Sequence, residues 1–455
     1  MVEGSRITGL LVGAAVGDAL GAPFEFKPAG TYRRRFPSRV LGGIGELIGG
    51  GGFNWAPGEF TDDTQMAVVL AESLLANDLT LDRDHLFASW REWASGAADI
   101  GNTTRHALSF ERWQDVSHRN PEMTAANGAL MRAFPLALLD VDDSTRREWT
   151  LKQATLTHAH PDAGFGAWLG VAMMRAALEG KDVFERLNTE LQELPSESRD
   201  RFAPILAESW EPSMLRGGNG SVWGCLACAV WAVRGAKSFE DAVVRAVNVG
   251  DDADTVACVA GALAGAKFTE QGIPSRWLAY VHGIANSKTY RLEDLELLAR
   301  RLAGRRVNTP TREARRGPIE VFPNLYAANR SAAESVPTDW AIMSFCRTEG
   351  FFVDHSVRRQ SYLLDDDVGN PTLKEVVADA VATIDALLAE GHNVVVHCEG
   401  GRSRTCLVLK AWWMKTSGGS HAEAEAWLSE HWPYCSDHNR SFAKFLDGAR
   451  PRNSP

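Results

Sequence analysis

Several things are scarce in this chain of 455 residues, and each scarcity removes a class of protein. The seven cysteines are mostly scattered singly, so no disulfide framework of a small secreted domain is present, and a reducing cytoplasm is the expected compartment. Basic residues are outnumbered, with 48 Lys and Arg against 58 Asp and Glu, which argues against binding to a nucleic-acid backbone. No secretory signal or membrane span is expected: the apolar stretch 7–22 is interrupted by Asp18 and several glycines, and only Arg6 precedes it. Repeats are missing, and the glycine-rich 41–52 is the one low-complexity segment. The chain is also too long for one ordinary core, so more than one domain is expected.

Residues 1–303 read as helix and loop. Runs at 65–76, 163–178, 222–236 and 239–247 carry apolar residues at helical spacing, with much alanine and little strand-like alternation. Ser238 and Asp241 resemble a capping box at the start of one run. Cys225 and Cys228 form a Cys-x-x-Cys inside an apolar run, where two small residues on a buried helix face explain them better than redox chemistry. Residues 304–317 hold five arginines and little that is apolar, which predicts an exposed basic linker. Beyond it, strand-like runs at 319–322, 340–345, 361–364 and 394–397 alternate with helical runs at 373–390 and 405–415. That texture predicts a multi-domain chain: an all-α domain at 1–303, then a small α/β domain at 318–450 with a mainly parallel sheet.

Two acid clusters stand out in the helical part: Thr61-Asp62-Asp63-Thr64 and Asp251-Asp252-Ala253-Asp254-Thr255. Each alone is an ordinary helix start, where a capping hydroxyl and first-turn acids are favoured. Brought together, the carboxylates would repel one another unless a cation were bound. Hard oxygen ligands without nearby Cys or His point to two Mg²⁺ or Mn²⁺ rather than zinc. Such a pair can orient a water and polarise a ribose oxygen.

Six ordered pieces carry a resemblance. They are Gly13-Ala14-Ala15-Val16-Gly17-Asp18-Ala19-Leu20-Gly21 with Glu25-Phe26, then 58–65, Asp99-Ile100-Gly101, 127–132, Thr157-His158 and 248–255. Together they resemble the ADP-ribosylglycohydrolase family. The resemblance implies that Thr61, Asp62, Asp63, Asp252, Asp254 and Thr255 ligate two divalent ions. It puts Glu25 beside the scissile bond and Asp99 near the ribose, and sets Asn127, Gly128 and His158 against the diphosphate and distal ribose. The expected substrate is an ADP-ribosylated protein or small molecule. Asp251 departs from the pattern, since many relatives have glycine there. Asp18 is expected to be a buried helper of the acid site, and glycines 49–52 form either a diphosphate cradle or a hairpin.

The second part carries Val394-Val395-Val396-His397-Cys398-Glu399-Gly400-Gly401-Arg402-Ser403-Arg404-Thr405. A strand, a turn and a helix start in that order present N–H groups to a phosphate, and the same field favours a thiolate at Cys398. Arg404 can grip two phosphate oxygens, Gly401 permits the turn, and Thr405 can donate to the leaving thiolate. This region resembles the dual-specificity phosphatase-like cysteine phosphatases, which implies a phosphorylated substrate and an upstream general acid. Asp366 or Asp367 is expected in that role, from the run Asp365-Asp366-Asp367. The leading expectation is therefore a bifunctional hydrolase. The alternative is a non-catalytic ADP-ribose reader with a phosphate-binding pseudophosphatase module.

Overall fold

The computed structural model describes residues 4–305, 314–365, 370–436 and 439–449. Chain contacts divide it into two units. The first contains Met1–Ser38, Leu47–Ile273 and Val281–Val307; the second contains Arg39–Glu46, Pro274–Tyr280 and Asn308–Pro455.

The first unit is helical. Helices needed below are α1 (Gly4–Gly21), α2 (Asp62–Ala76), α3 (Pro161–Leu178), α4 (Val222–Arg234), α5 (Phe239–Val247) and α6 (Ala253–Phe268). Cys225 and Cys228 both lie buried on α4 as free thiols, as expected. Ser238 caps α5 by accepting from the Asp241 N–H at 3.1 Å; Asp241 in turn accepts from Lys237 N, one residue before the box position. One departure from an all-α unit is a short antiparallel hairpin, β1 (His282–Ala285) and β2 (Lys288–Arg291). Its turn residues Asn286 and Ser287 both have positive φ, the geometry that suits a tight two-residue hairpin.

Helix α1 is buried from Ile7 to Gly21. Contrary to expectation, it is long and apolar enough to cross a membrane by length and composition, yet that apolar window lies wholly inside the protein. Its glycines recur every fourth residue, at 9, 13, 17 and 21, and so form one stripe. That stripe meets α6 backbone to backbone. A Cβ at Gly17 would lie 2.0 Å from the Ala257 carbonyl oxygen, one at Gly9 2.4 Å from that of Gly265, and one at Gly21 2.4 Å from Asp254 Cα. Only glycine allows two helices this close. The contact brings Asp18 and the start of α6 to the same end of the pair.

The second unit holds a five-stranded sheet of order β3-β4-β7-β5-β6. Its strands are β3 (Ile319–Phe322), β4 (Leu325–Asn329), β5 (Ala341–Ser344), β6 (Arg358–Gln360) and β7 (Val394–Cys398). Only β3–β4 is antiparallel, so the sheet is mixed and mainly parallel. Helices α7 (Leu373–Ala389) and α8 (Arg404–Ser417) pack on it. Strand β4 was not foreseen, and the strand expected at 361–364 instead lies at β6. Register decides this: Ile342, Met343 and Ser344 pair with Arg358, Arg359 and Gln360, so sheet position overrides the polar side chains.

Candidate functional sites

The two acid clusters meet at the mouth of the first unit. Thr61 is the N-cap of α2, and Asp252 is the N-cap of α6. Behind them Asp18, fully buried on α1, accepts from Thr61 N at 2.9 Å, Thr64 N at 3.1 Å and Thr64 Oγ1 at 2.6 Å. Asp18 thus fixes the entry of α2, and its lone pairs are largely spent there. The clusters join where Thr255 Oγ1 donates to Asp63 Oδ1 at 3.1 Å. Asp252 is held from the other side, by Asn127 Nδ2 at 2.8 Å and, through its own N–H, by Asn219 Oδ1 at 3.0 Å.

Glu25 reaches the same place by a backbone clamp. Phe26 N donates to the Asp251 carbonyl at 2.6 Å, and Asp251 N donates to that of Lys27 at 2.9 Å. Asp251 itself adopts φ +56°, which explains why glycine suits the position, and its side chain is exposed.

A cleft of about 530 Å³ opens over these groups. Glu25, Asp62, Asp63, Asp99, Asp252, Asp254 and Thr255 line one part, and Asn127, Gly128 and His158 line another. Thr61 is fully buried, its hydroxyl turned to the Asp63 N–H at 3.4 Å. Of the glycine-rich loop, Phe53 reaches the cleft, while Gly50 and Trp55 exchange two backbone bonds as a hairpin.

The acids raise one another. Burial, then Asp99, Asp252 and Asp18, push Glu25 up to about 8. Burial, with Asp252 opposed by the Ile100 N–H, takes Asp99 to about 6. Burial and like charge also drive Asp62, Asp63 and Asp254 well above the carboxylate range. Two buried oxygens, Glu25 Oε2 and Asp63 Oδ2, have no hydrogen-bond partner among the described residues. Uncompensated hard oxygens of this kind fit a divalent cation. Asp18, Asp63 and Cys258 also bring ligand atoms within 4.8 Å of one another, but of these Asp63 alone lines the cleft.

At the far part of the cleft, Arg132 is buried over the Trp90 ring at 3.9 Å and donates to Thr157 Oγ1 at 2.8 Å. The Thr157 hydroxyl also meets His158 Nδ1, 2.7 Å away. The other ring nitrogen, Nε2, is buried without a partner among the described residues. Burial, then Arg132 and His118, hold His158 well below its usual range, so the ring is neutral. Gly128 packs closely beside it, and a Cβ there would come within 3.1 Å of the ring.

In the second unit, Cys398 ends β7 and Arg404 begins α8. The carbonyls between them all point into the protein. Glu399 accepts from Arg330 N at 3.3 Å, Gly400 from Arg316 Nη1 at 2.9 Å, Gly401 from Trp432 Nε1 at 2.7 Å and Arg402 from Ser436 N at 3.1 Å. In trans peptides the following N–H groups point the opposite way, so they converge on the concave side of the loop. Gly401 needs its φ of +67°, and a Cβ there would sit 3.0 Å from Trp432 and the Ala328 carbonyl. Arg404 opposes its own burial with the field of Cys398, Cys346 and Asp365, and donates to the Leu363 carbonyl at 2.9 Å. Thr405 Oγ1 is buried with no partner among the described residues. Burial keeps His397 neutral, down at about 3, and its Nε2 meets Ser344 Oγ at 2.7 Å. Asp366 and Asp367 lie outside the described residues.

Sequence reasoning missed Asn219, which ties Asp252 to the Gly250 carbonyl at 2.9 Å. The run Gly217-Gly218-Asn219-Gly220 before α4 was its signal. It also read the α1 glycines as interruptions rather than as a contact stripe.

A helical unit with an acid-floored cleft assembled from two helix starts defines a class of hydrolase in which carboxylates, not a nucleophilic side chain, dominate the site. The sequence profile described as ADP-ribosylglycohydrolase matches residues 2–311, and the chain belongs to that family. ADP-ribosylarginine hydrolase Tri1 of Pseudomonas putida (strain GB-1) is 32% identical over 61% of this chain and 74% of its own length. The ADP-ribosyl-[dinitrogen reductase] glycohydrolase of Rhodospirillum rubrum is 32% identical over 60% of this chain and 89% of its own. The family is metal-dependent. Human DUSP28 aligns with 29% of this chain and 91% of its own at 21% identity and a TM-score of 0.26, so the second unit is read from its own geometry.

Proposed function

We propose that the first unit hydrolyses the glycosidic bond between ADP-ribose and a modified acceptor, with two Mg²⁺ or Mn²⁺ held by Asp62, Asp63, Asp252, Asp254, Thr255 and Thr61. The observation that carries this reading is the set of buried, mutually repelling carboxylates with two unpartnered oxygens lining one cleft. Bound ions would supply Lewis acidity at the ribose and a readily ionised water. Glu25 holds the proton that moves between water and leaving group, at Oε2, a role suited to a carboxyl raised toward neutrality. Asp99 orients the ribose hydroxyls, and His158 Nε2 with Asn127 and Gly128 receives the diphosphate end. Two relatives are named for ADP-ribosylarginine, which makes arginine the first acceptor to try, on a protein or as a small molecule.

For the second unit we propose a cysteine-dependent phosphatase at 318–450, joined through a basic linker at 304–317 to the glycohydrolase domain at 1–303. Cys398 sulfur attacks phosphorus, the bond to the substrate oxygen breaks, and Asp366 or Asp367 protonates that oxygen. Water then hydrolyses the phosphocysteine, with Arg404 gripping the phosphoryl oxygens throughout and Thr405 stabilising the departing thiolate. The inward-turned carbonyls of 399–402, which leave the following N–H groups on the concave side of the loop, support this reading. A reducing cytoplasm belongs to the same proposal.

The test is product analysis on ADP-ribosyl-arginine and an aryl phosphate, with and without chelator. Release of ADP-ribose should stop in EDTA and return with Mg²⁺ or Mn²⁺. Tight binding of ADP-ribose with no release under any ion would replace this reading with that of a non-catalytic reader.

A further inference from the structure

Phe26 directly follows Glu25 and lines the same cleft. Its side chain is 66% exposed, the most exposed phenylalanine among the described residues. Its backbone sits at φ +59°, a region a bulky residue enters only at a cost. The exchange of hydrogen bonds with Asp251 described above holds it there. One flank of the ring runs along Gly52, where a Cβ would approach Cδ2 and Cε2 to 3.9 Å. Folding gains nothing from a strained backbone that turns an aromatic ring to water, so the arrangement calls for a ligand.

The surroundings select the ligand's charge. Glu25, Asp62, Asp99 and Asp252 share the cleft with Phe26, while Arg105 is the only arginine or lysine among its described lining residues. A diphosphate is drawn to Arg105 and away from the acids. A planar, delocalised cation is drawn both to the acids and to the face of an aromatic ring. We propose that Phe26 is the platform for the acceptor: its ring stacks on the guanidinium of an ADP-ribosylated arginine and sets the preference for that acceptor. The proposal rests on the glycohydrolase reading for its substrate.

The experiment uses the full chain with Mg²⁺, in a Glu25→Gln background to prevent turnover. Affinities for ADP-ribosyl-arginine and for ADP-ribose are measured by calorimetry. Phe26→Leu should weaken ADP-ribosyl-arginine about tenfold and leave ADP-ribose within twofold, which also certifies the fold; Phe26→Trp should keep the preference. Three results would overturn the platform: equal loss of both ligands in Phe26→Leu with Phe26→Trp normal, a preference that survives Phe26→Leu, or no preference in the parent. The reaction reading fails separately, if the wild type binds ADP-ribosyl-arginine but never releases ADP-ribose.

Discussion

The acid cleft and the cysteine loop handle charge in opposite ways. In the cleft, negative charge resides on side chains, and Arg105, beside Asp99, is the only lysine or arginine among its described lining residues. In the loop, the anion-attracting element is the backbone itself, turned by carbonyls that Arg330, Arg316, Trp432 and Ser436 hold from behind. A chain with a formal net charge of -10 therefore carries one site suited to cations and another suited to anions. Net charge speaks for neither. The difference also lies in what a mutation touches: the cleft depends on individual carboxylates, the loop on a turn that several distant donors maintain.

The sharpest attempt to break the comparison exchanges one functional group on each side. Asp254→Ala should lower ADP-ribose release about a thousandfold and spare aryl phosphate hydrolysis, whereas Cys398→Ser should do the reverse. Parallel steady-state assays on both substrates decide it, and a variant that depresses both activities would end the independence of the sites. Next in size, Gly17→Ala attacks the scaffold of the cleft alone. Its Cβ would stand 2.0 Å from the Ala257 oxygen, so the helices must part, at about 3 kcal/mol. Denaturant unfolding should show a lower midpoint for the first unit, and any aryl phosphate hydrolysis proposed for the second unit should persist.

A smaller effect follows from the raised carboxyls. Without metal, Glu25 at about 8 and Asp18 and Asp99 at about 6 keep protons that the unfolded chain has already lost. Stability held at pH 5 should therefore fall as pH rises toward 8, the direction opposite to that of a salt-bridged acid. Thermal melts in EDTA should show a lower midpoint at pH 8 than at pH 5.5, and Mg²⁺ should flatten the difference. The smallest expected change is Gly128→Ala, which crowds the His158 ring at 3.1 Å. A several-fold rise in KM with kcat retained would mark a binding contact; a matching fall in kcat would place the ring closer to the chemistry.

Much of this was legible in the sequence because it is local. Helix α5 occupies the predicted residues, α2 and α3 differ from the predicted runs only at their starts, and both acid clusters sit at helix starts where capping chemistry put them. What stayed hidden depends on partners far away. Arg358-Arg359-Gln360 reads as a loop until β5 pairs with it, and Leu325–Asn329 becomes a strand because β3 and β7 flank it. The clamp of Phe26 and Lys27 on Asp251 spans more than two hundred residues, and no local pattern announces it. The setting of His158, with Thr157 on its Nδ1 and Arg132 behind, likewise draws on a residue that no local pattern joins to it.

The glycine stripe has a bearing on the order in which the protein comes together. Gly9 and Gly265 touch across 256 residues of chain, so this contact must wait until more than half of the chain has been made. Until it forms, the acids of α2 exist without those of α6 and do not yet repel them. The charge conflict thus arises only when the two helix starts are brought together. On the proposed metal-bound reading, the cation would also relieve the charge conflict that bringing α6 beside α2 creates.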